Sequence, residues 1–90
     1  MKIYFLVYRS WAFQIAKSIK KKFNSHQIKI FTKKENELSK SEIKKNDVIV
    51  LDNKSNIIFE NYLKKNPNII FYIGWSELVN KKIFDNFLCI

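Results

Sequence analysis

Glycine, proline, cysteine and histidine each occur once in these 90 residues, and each scarcity closes off some chemistry. With Gly74 as its glycine, the chain cannot build the glycine-rich turn by which backbone amides approach nucleotide phosphates. The first strand-to-helix turn is instead Tyr8-Arg9-Ser10-Trp11. Cys89 has no second cysteine for an intrachain disulfide, which suits a reducing compartment, and with His26 it is too little for a zinc cluster. No apolar run approaches the roughly 18 residues that read as a membrane span. The apolar start, Met1 to Tyr8, lacks a small-residue cleavage site and runs into Arg9 and a helical pattern, unlike a signal peptide. The expected location is the cytoplasm. Arginine is equally scarce: Arg9 stands among seventeen basic residues, the rest lysine.

What the chain has in excess is positive charge and apolar bulk. A net charge of +9 invites a polyanion as partner. Dedicated nucleic-acid surfaces lean on arginine's bidentate fork, however, and this one does not. Lysine, asparagine, isoleucine, phenylalanine and tyrosine share A/T-rich codons, so composition accounts for the charge and nucleic acid is not the expected partner. The rival to any enzymatic reading is a basic, non-catalytic module meeting an anionic partner through Lys17, Lys20, Lys21, Lys22, Lys81 and Lys82, or a subunit completed by another polypeptide. Hydrophobic content of 47%, with 16% aromatic, excludes a disordered chain, and the length allows a single small domain.

Periodicity predicts alternating strands and helices. Lys2 to Tyr8 reads as a buried strand. Ser10 is placed to cap a helix carrying Ala12, Ile15, Ala16, Ile19 and Phe23 on one face. Gln27 to Thr32 is a second strand. Residues 33–46 are polar apart from Leu38 and Ile43, and predict a surface loop with a short helix near Ser41–Asn46. Asp47 to Asp52 is a third strand. A helix with Ile58, Phe59, Tyr62 and Leu63 follows and is ended by Asn66-Pro67. The run Ile69 to Ile73 is apolar on every residue, as in a strand covered on both faces. A short helix near Asn80–Asn86 and a fifth strand beginning at Leu88-Cys89-Ile90 complete the pattern. This alternation implies a parallel α/β sheet with right-handed crossovers.

Several sites are excluded by position. A receiver domain would use an aspartate such as Asp52, but needs acidic residues after strand one, where Arg9 and Ser10 stand. Asp52 fits a turn better. A Ser/His/Asp triad would need His26, which precedes strand two, away from the carboxyl ends where open α/β sheets bind ligands. His26 is expected to be exposed. What remains is the rim above strands one and four: Arg9, Ser10 and Trp11, with Gly74, Trp75, Ser76 and Glu77. Aromatic rings and free amides there suit a flat heterocycle with hydrogen-bonding edges.

These same residues carry a resemblance. Strand one leading into Tyr8-Arg9-Ser10-Trp11-Ala12, and Gly74-Trp75-Ser76 followed by Leu78-Val79, resemble the N10-formyltetrahydrofolate-dependent formyltransferases. They are most similar to the amino-terminal part of the sugar N-formyltransferases. Asn80 departs from the proline usual there, which loosens the loop. The resemblance spans essentially the whole chain and implies a three-layer, Rossmann-like, formyltransferase-like parallel sheet, cut off after the start of strand five. Residues 1–90 would then form a single, incomplete amino-terminal α/β domain with strand order 3-2-1-4-5.

In that family the amine of a nucleotide-linked sugar attacks the formyl carbon of N10-formyltetrahydrofolate. An asparagine and a histidine stabilise the oxyanion, and an aspartate with the histidine manages protons. Their positions fall after strand five, so the resemblance assigns no catalytic residue to this chain, and activity from it alone is not expected. It implies a folate (cofactor) wall from Gly74, Trp75, Ser76, Glu77 and Leu78, and a nucleotide-sugar side near Arg9, Ser10 and Trp11. The short fifth strand predicts a nearly unpaired edge on strand four, and through it a homo-oligomer or a complementing chain.

Overall fold

Among the described residues, three of the four strands are built largely from β-branched, leucine and aromatic residues, and their side chains divide between two cores. The computed structural model describes residues 1–51, 57–73, 88 and 90. In chain order they form β1 (Lys2–Leu6), α1 (Ser10–Lys22), β2 (Gln27–Lys33), α2 (Lys40–Lys45), β3 (Ile49–Leu51), α3 (Ile57–Leu63) and β4 (Ile69–Tyr72). Every pairing is parallel and the strand order is β3-β2-β1-β4. Residues Phe5, Val7, Ile28 and Ile30 pack with Ala12, Phe13 and Ala16 of α1, and Ile43 of α2 joins the same side. Tyr4, Leu6, Phe31 and Ile70 pack with Phe59 and Tyr62 of α3 on the other. Helices on both faces make the three layers of a doubly wound α/β fold, as expected from the alternation. The change of face follows from right-handed crossovers: β1-α1-β2-α2-β3 winds one way, and β3-α3-β4 winds back.

Local chemistry sets the boundaries. β1 ends at Leu6, shorter than the predicted run to Tyr8, although the Val7 amide still donates to the Phe31 carbonyl at 2.9 Å. α2 starts at Lys40, one residue before the expected helix, and is capped there: the Ser39 hydroxyl accepts from the Glu42 amide at 3.2 Å. Asp47 turns the chain at φ 51 rather than opening the third strand. Asn66, at φ 55, ends the turn after α3, and buried Pro67 leads into β4. Aspartate and asparagine tolerate this left-handed region better than most residues.

The predicted fifth strand meets its partner in part. The Ile70 amide donates to the Leu88 carbonyl, the Ile90 amide to the Ile70 carbonyl, and the Tyr72 amide to the Ile90 carbonyl, each at 2.8 Å. This is the alternation of a parallel ladder. The outer edge of β4 is therefore bonded, correcting the expectation that it would lie nearly unpaired. The predicted helix near Asn80–Asn86 lies outside the described residues. No helix among the described residues is long and apolar enough to cross a membrane.

Candidate functional site

The order β3-β2-β1-β4 puts the topological switch between β1 and β4, because the chain winds away from that pair in opposite directions. The two strands are in register from Ile3↔Ile69 to Leu6↔Tyr72, and the Ile73 amide donates to the Leu6 carbonyl at 3.2 Å. The chain after Leu6 thus leaves the sheet beside the chain after Tyr72. This is the crevice edge of such a fold, and Arg9, Ser10 and Trp11 stand on it.

Ser10 does not cap α1, as its type suggested. Arg9 occupies the N-cap position with extended backbone (φ −83, ψ 146), its side chain makes no cap bond, and Ser10 is the first helical residue. The cap comes from 27 residues downstream: the Ser10 amide donates to Glu37 Oε1 at 2.9 Å. Glu37 Oε2 lies 3.5 Å from the Arg9 guanidinium, with both side chains about half exposed. The Glu37 amide donates to the Tyr8 carbonyl at 2.8 Å, which pins the loop against the helix start. A carboxylate here is favoured by the unpaired first-turn amides and by the positive end of the helix.

Cations flank Tyr8. Lys33 Nζ is 4.1 Å and Arg9 Cζ 5.2 Å from its ring centroid. Hydrogen bonding with Tyr8, then the charges of Tyr8 and Glu37, hold the Arg9 guanidinium further toward its charged form. Tyr8, Arg9, Lys33, Glu35, Asn36 and Glu37 line an open recess of about 310 Å³. It offers charges of both signs and an aromatic face, which suits orienting an anionic group more than proton transfer. Trp11 is exposed one residue into the helix. Gly74, Trp75, Ser76, Glu77 and Leu78, the expected folate wall, lie outside the described residues.

A larger cleft, of about 500 Å³, opens at the opposite, amino end of the strands. Its walls include Lys2, Lys20, Lys29 and Lys65, with His26 and Tyr62. His26 is half-buried, its ring centroid 6.4 Å from that of Phe23, which corrects its expected full exposure. Tyr4, under the cleft, donates its hydroxyl to the Tyr62 carbonyl at 2.7 Å. Burial, and secondarily Tyr62, push the Tyr4 phenol above its usual value. Sequence reasoning missed Glu37, which sits in a polar stretch with no marking pattern. It also missed this cleft, although lysines after each helix were a legible signal. Compared with protein-family models, with curated proteins and with solved structures, the chain matches none.

Proposed function

We propose that residues 1–90 form the folate-pocket half of a formyl-transfer site. Formyl would pass from N10-formyltetrahydrofolate to the amino group of a nucleotide-linked sugar. The observation carrying this reading is the adjacency of the chains leaving β1 and β4, held by the Leu6–Ile73 bond at the switch point. Arg9, Ser10 and Trp11 thereby follow the strand bonded to the one that ends just before Ile73. Arg9 would meet the nucleotide sugar's anionic group, which would compete with Glu37 for the start of α1. Trp75 and the backbone through Leu78 would wall the folate. The oxyanion-stabilising and proton-handling groups would come from outside residues 1–90. Self-association or a complementing chain would use the exposed Trp11 and Ile15 on the flank of α1 rather than the bonded edge of β4.

The test is a titration with 5-formyltetrahydrofolate, the unreactive isomer of the donor, followed by tryptophan emission. A saturable change is expected in the parent chain and in Trp11→Leu, but not in Trp75→Leu. No saturable change up to roughly 1 mM, the weak end of ordinary enzyme–substrate affinities, refutes the reading.

A further inference from the structure

Among the described residues, the topology gathers many of the lysines at one end. Helices that cross over a parallel sheet run against the strands, so their carboxyl ends all arrive at the strands' amino ends. α1 closes on Lys20-Lys21-Lys22, α2 on Lys44-Lys45, and Lys64-Lys65 follow α3. Backbone contacts confirm the convergence: the Gln27 amide donates to the Met1 carbonyl at 3.0 Å and the Asn68 amide to the Lys2 carbonyl at 2.8 Å. Lys2 and Lys29 extend the same end from the sheet itself. Most acids among the described residues sort the other way. Glu42 and Glu60 lie in the first turns of α2 and α3, and Glu35 and Glu37 line the recess at the carboxyl end. Asp47 is the acid lining the amino-end cleft.

Some of these lysines already serve the fold. Lys2 Nζ donates to the Lys65 carbonyl at 2.8 Å and Lys20 Nζ to the Asn46 carbonyl at 3.0 Å, so each quiets the negative end of a helix. They also brace the cleft walls and leave Lys21, Lys22, Lys44, Lys45 and Lys64 exposed around it. Beside the cleft's His26, with ring centroids 6.4 Å apart, Phe23 is 46% exposed and lines an adjoining apolar recess with Ile19 and Phe71. Lys22 Nζ lies 5.9 Å from the Phe23 ring centroid. An exposed ring among cations is what a base stacks on while phosphates follow the charges.

We propose that this end binds single-stranded nucleic acid, with phosphates along the lysine-ringed cleft and a base on Phe23. This goes beyond the formyl-transfer reading and uses the opposite end of the sheet. The cleft is concave, which a flat bilayer does not follow. The helices present their ends here rather than a side that could enter a duplex groove. The scarcity of arginine weighs against base-edge readout, but tracking a flexible backbone needs only point charges.

Fluorescence anisotropy with labelled oligouridylate and oligothymidylate of roughly 12 nucleotides, a site size typical of small modules, tests the proposal. Lys29→Gln/Lys65→Gln should flatten the slope of log affinity against log salt by about 1.4, two phosphate contacts' worth on a single strand. Phe23→Ala should weaken binding about five-fold or more. The control Lys34→Gln/Lys40→Gln removes equal charge at the other end and should change the slope little. Circular dichroism confirms that each variant is folded. The proposal is overturned by equal losses in control and cleft variants, by tighter binding of a duplex of the same length, by undiminished binding in Phe23→Ala, or by anionic vesicles displacing the oligonucleotide as well as excess strand does.

Discussion

Replacing Glu37 separates stability from ligand binding at the start of α1. Glu37→Ala removes the acceptor for the Ser10 amide and the partner of Arg9, but keeps the backbone bond to the Tyr8 carbonyl. Loss of an N-cap acceptor costs about 1 kcal/mol. The carboxylate's interaction with the helix end overlaps that figure, and the solvent-screened ion pair with Arg9 is not counted in it. The expected loss is therefore about 1 kcal/mol, a sizeable share of the roughly 5–15 kcal/mol of a small domain. Glu37→Gln keeps an acceptor without the charge and should lose about half as much. Urea unfolding followed by far-ultraviolet circular dichroism reads this as a lower midpoint at unchanged slope. Anion binding should move the opposite way. If Glu37 occupies the position of an anionic substrate, the less stable Glu37→Ala chain binds a nucleoside diphosphate more tightly than the parent. Stability within about 0.3 kcal/mol of the parent would refute the capping argument, and weaker nucleotide binding would refute the competition.

Three further substitutions probe the core. Below the ordinary tyrosine pKa of about 10 the Tyr4 phenol is neutral in both folded and unfolded chains. As pH rises past that point the unfolded chain ionises first, because the folded pKa is raised, so stability falls. Tyr4→Phe should lose about 1 kcal/mol at neutral pH, from the bond to Tyr62, yet show a shallower alkaline decline in pH-dependent melting. Thr32 is fully buried and its hydroxyl has no partner among the described residues. Thr32→Val should accordingly raise the urea midpoint, by about 1 kcal/mol of stability, and a comparable loss would show that the hydroxyl is satisfied. Phe31 is fully buried, with the rings of Tyr4 and Tyr62 at 5.1 Å and Phe59 at 5.3 Å. Phe31→Ala should cost about 3–5 kcal/mol and leave much of the chain unfolded, visible as lost cooperativity on melting.

The strands were legible because a sheet covered on both faces demands apolar residues in continuous runs, as throughout Ile69 to Tyr72, while Gln27 to Thr32 showed the alternation of a strand. Alternation with helices implied parallel pairing and right-handed crossovers, whereas the order 3-2-1-4 was an expectation carried by the family resemblance. The start of α1 was not legible. Serine at a helix start has the right chemistry for a cap, but the acceptor came from Glu37, and a contact across 27 residues leaves no local pattern. His26 is partly buried where the start of β1, the end of α1 and the start of β4 meet, an environment assembled from distant parts of the chain. Asp47 reads as a strand opener only until its positive φ is known. Within the candidate site, the types at Arg9, Ser10 and Trp11 were readable, while their engagement with Tyr8 and Glu37 was not.

Charge shows how topology adds to sequence. A lysine at the end of one helix is an ordinary answer to its dipole, and each of the three described helices gives that answer separately. Parallel winding then carries all three endings to one side of the sheet and the acidic first turns to the other. A local preference repeated along the chain thereby becomes an asymmetric field across the domain, with mixed charge around Arg9 and Glu37 and lysine around the 500 Å³ cleft. The two proposed ligands therefore make separable demands. Glu37→Ala should alter nucleotide binding and leave oligonucleotide binding unchanged, whereas Lys29→Gln/Lys65→Gln should do the reverse. Nucleotide and oligonucleotide titrations of these two variants, run side by side, distinguish two sites from a single diffuse attraction for anions, which would weaken both ligands together.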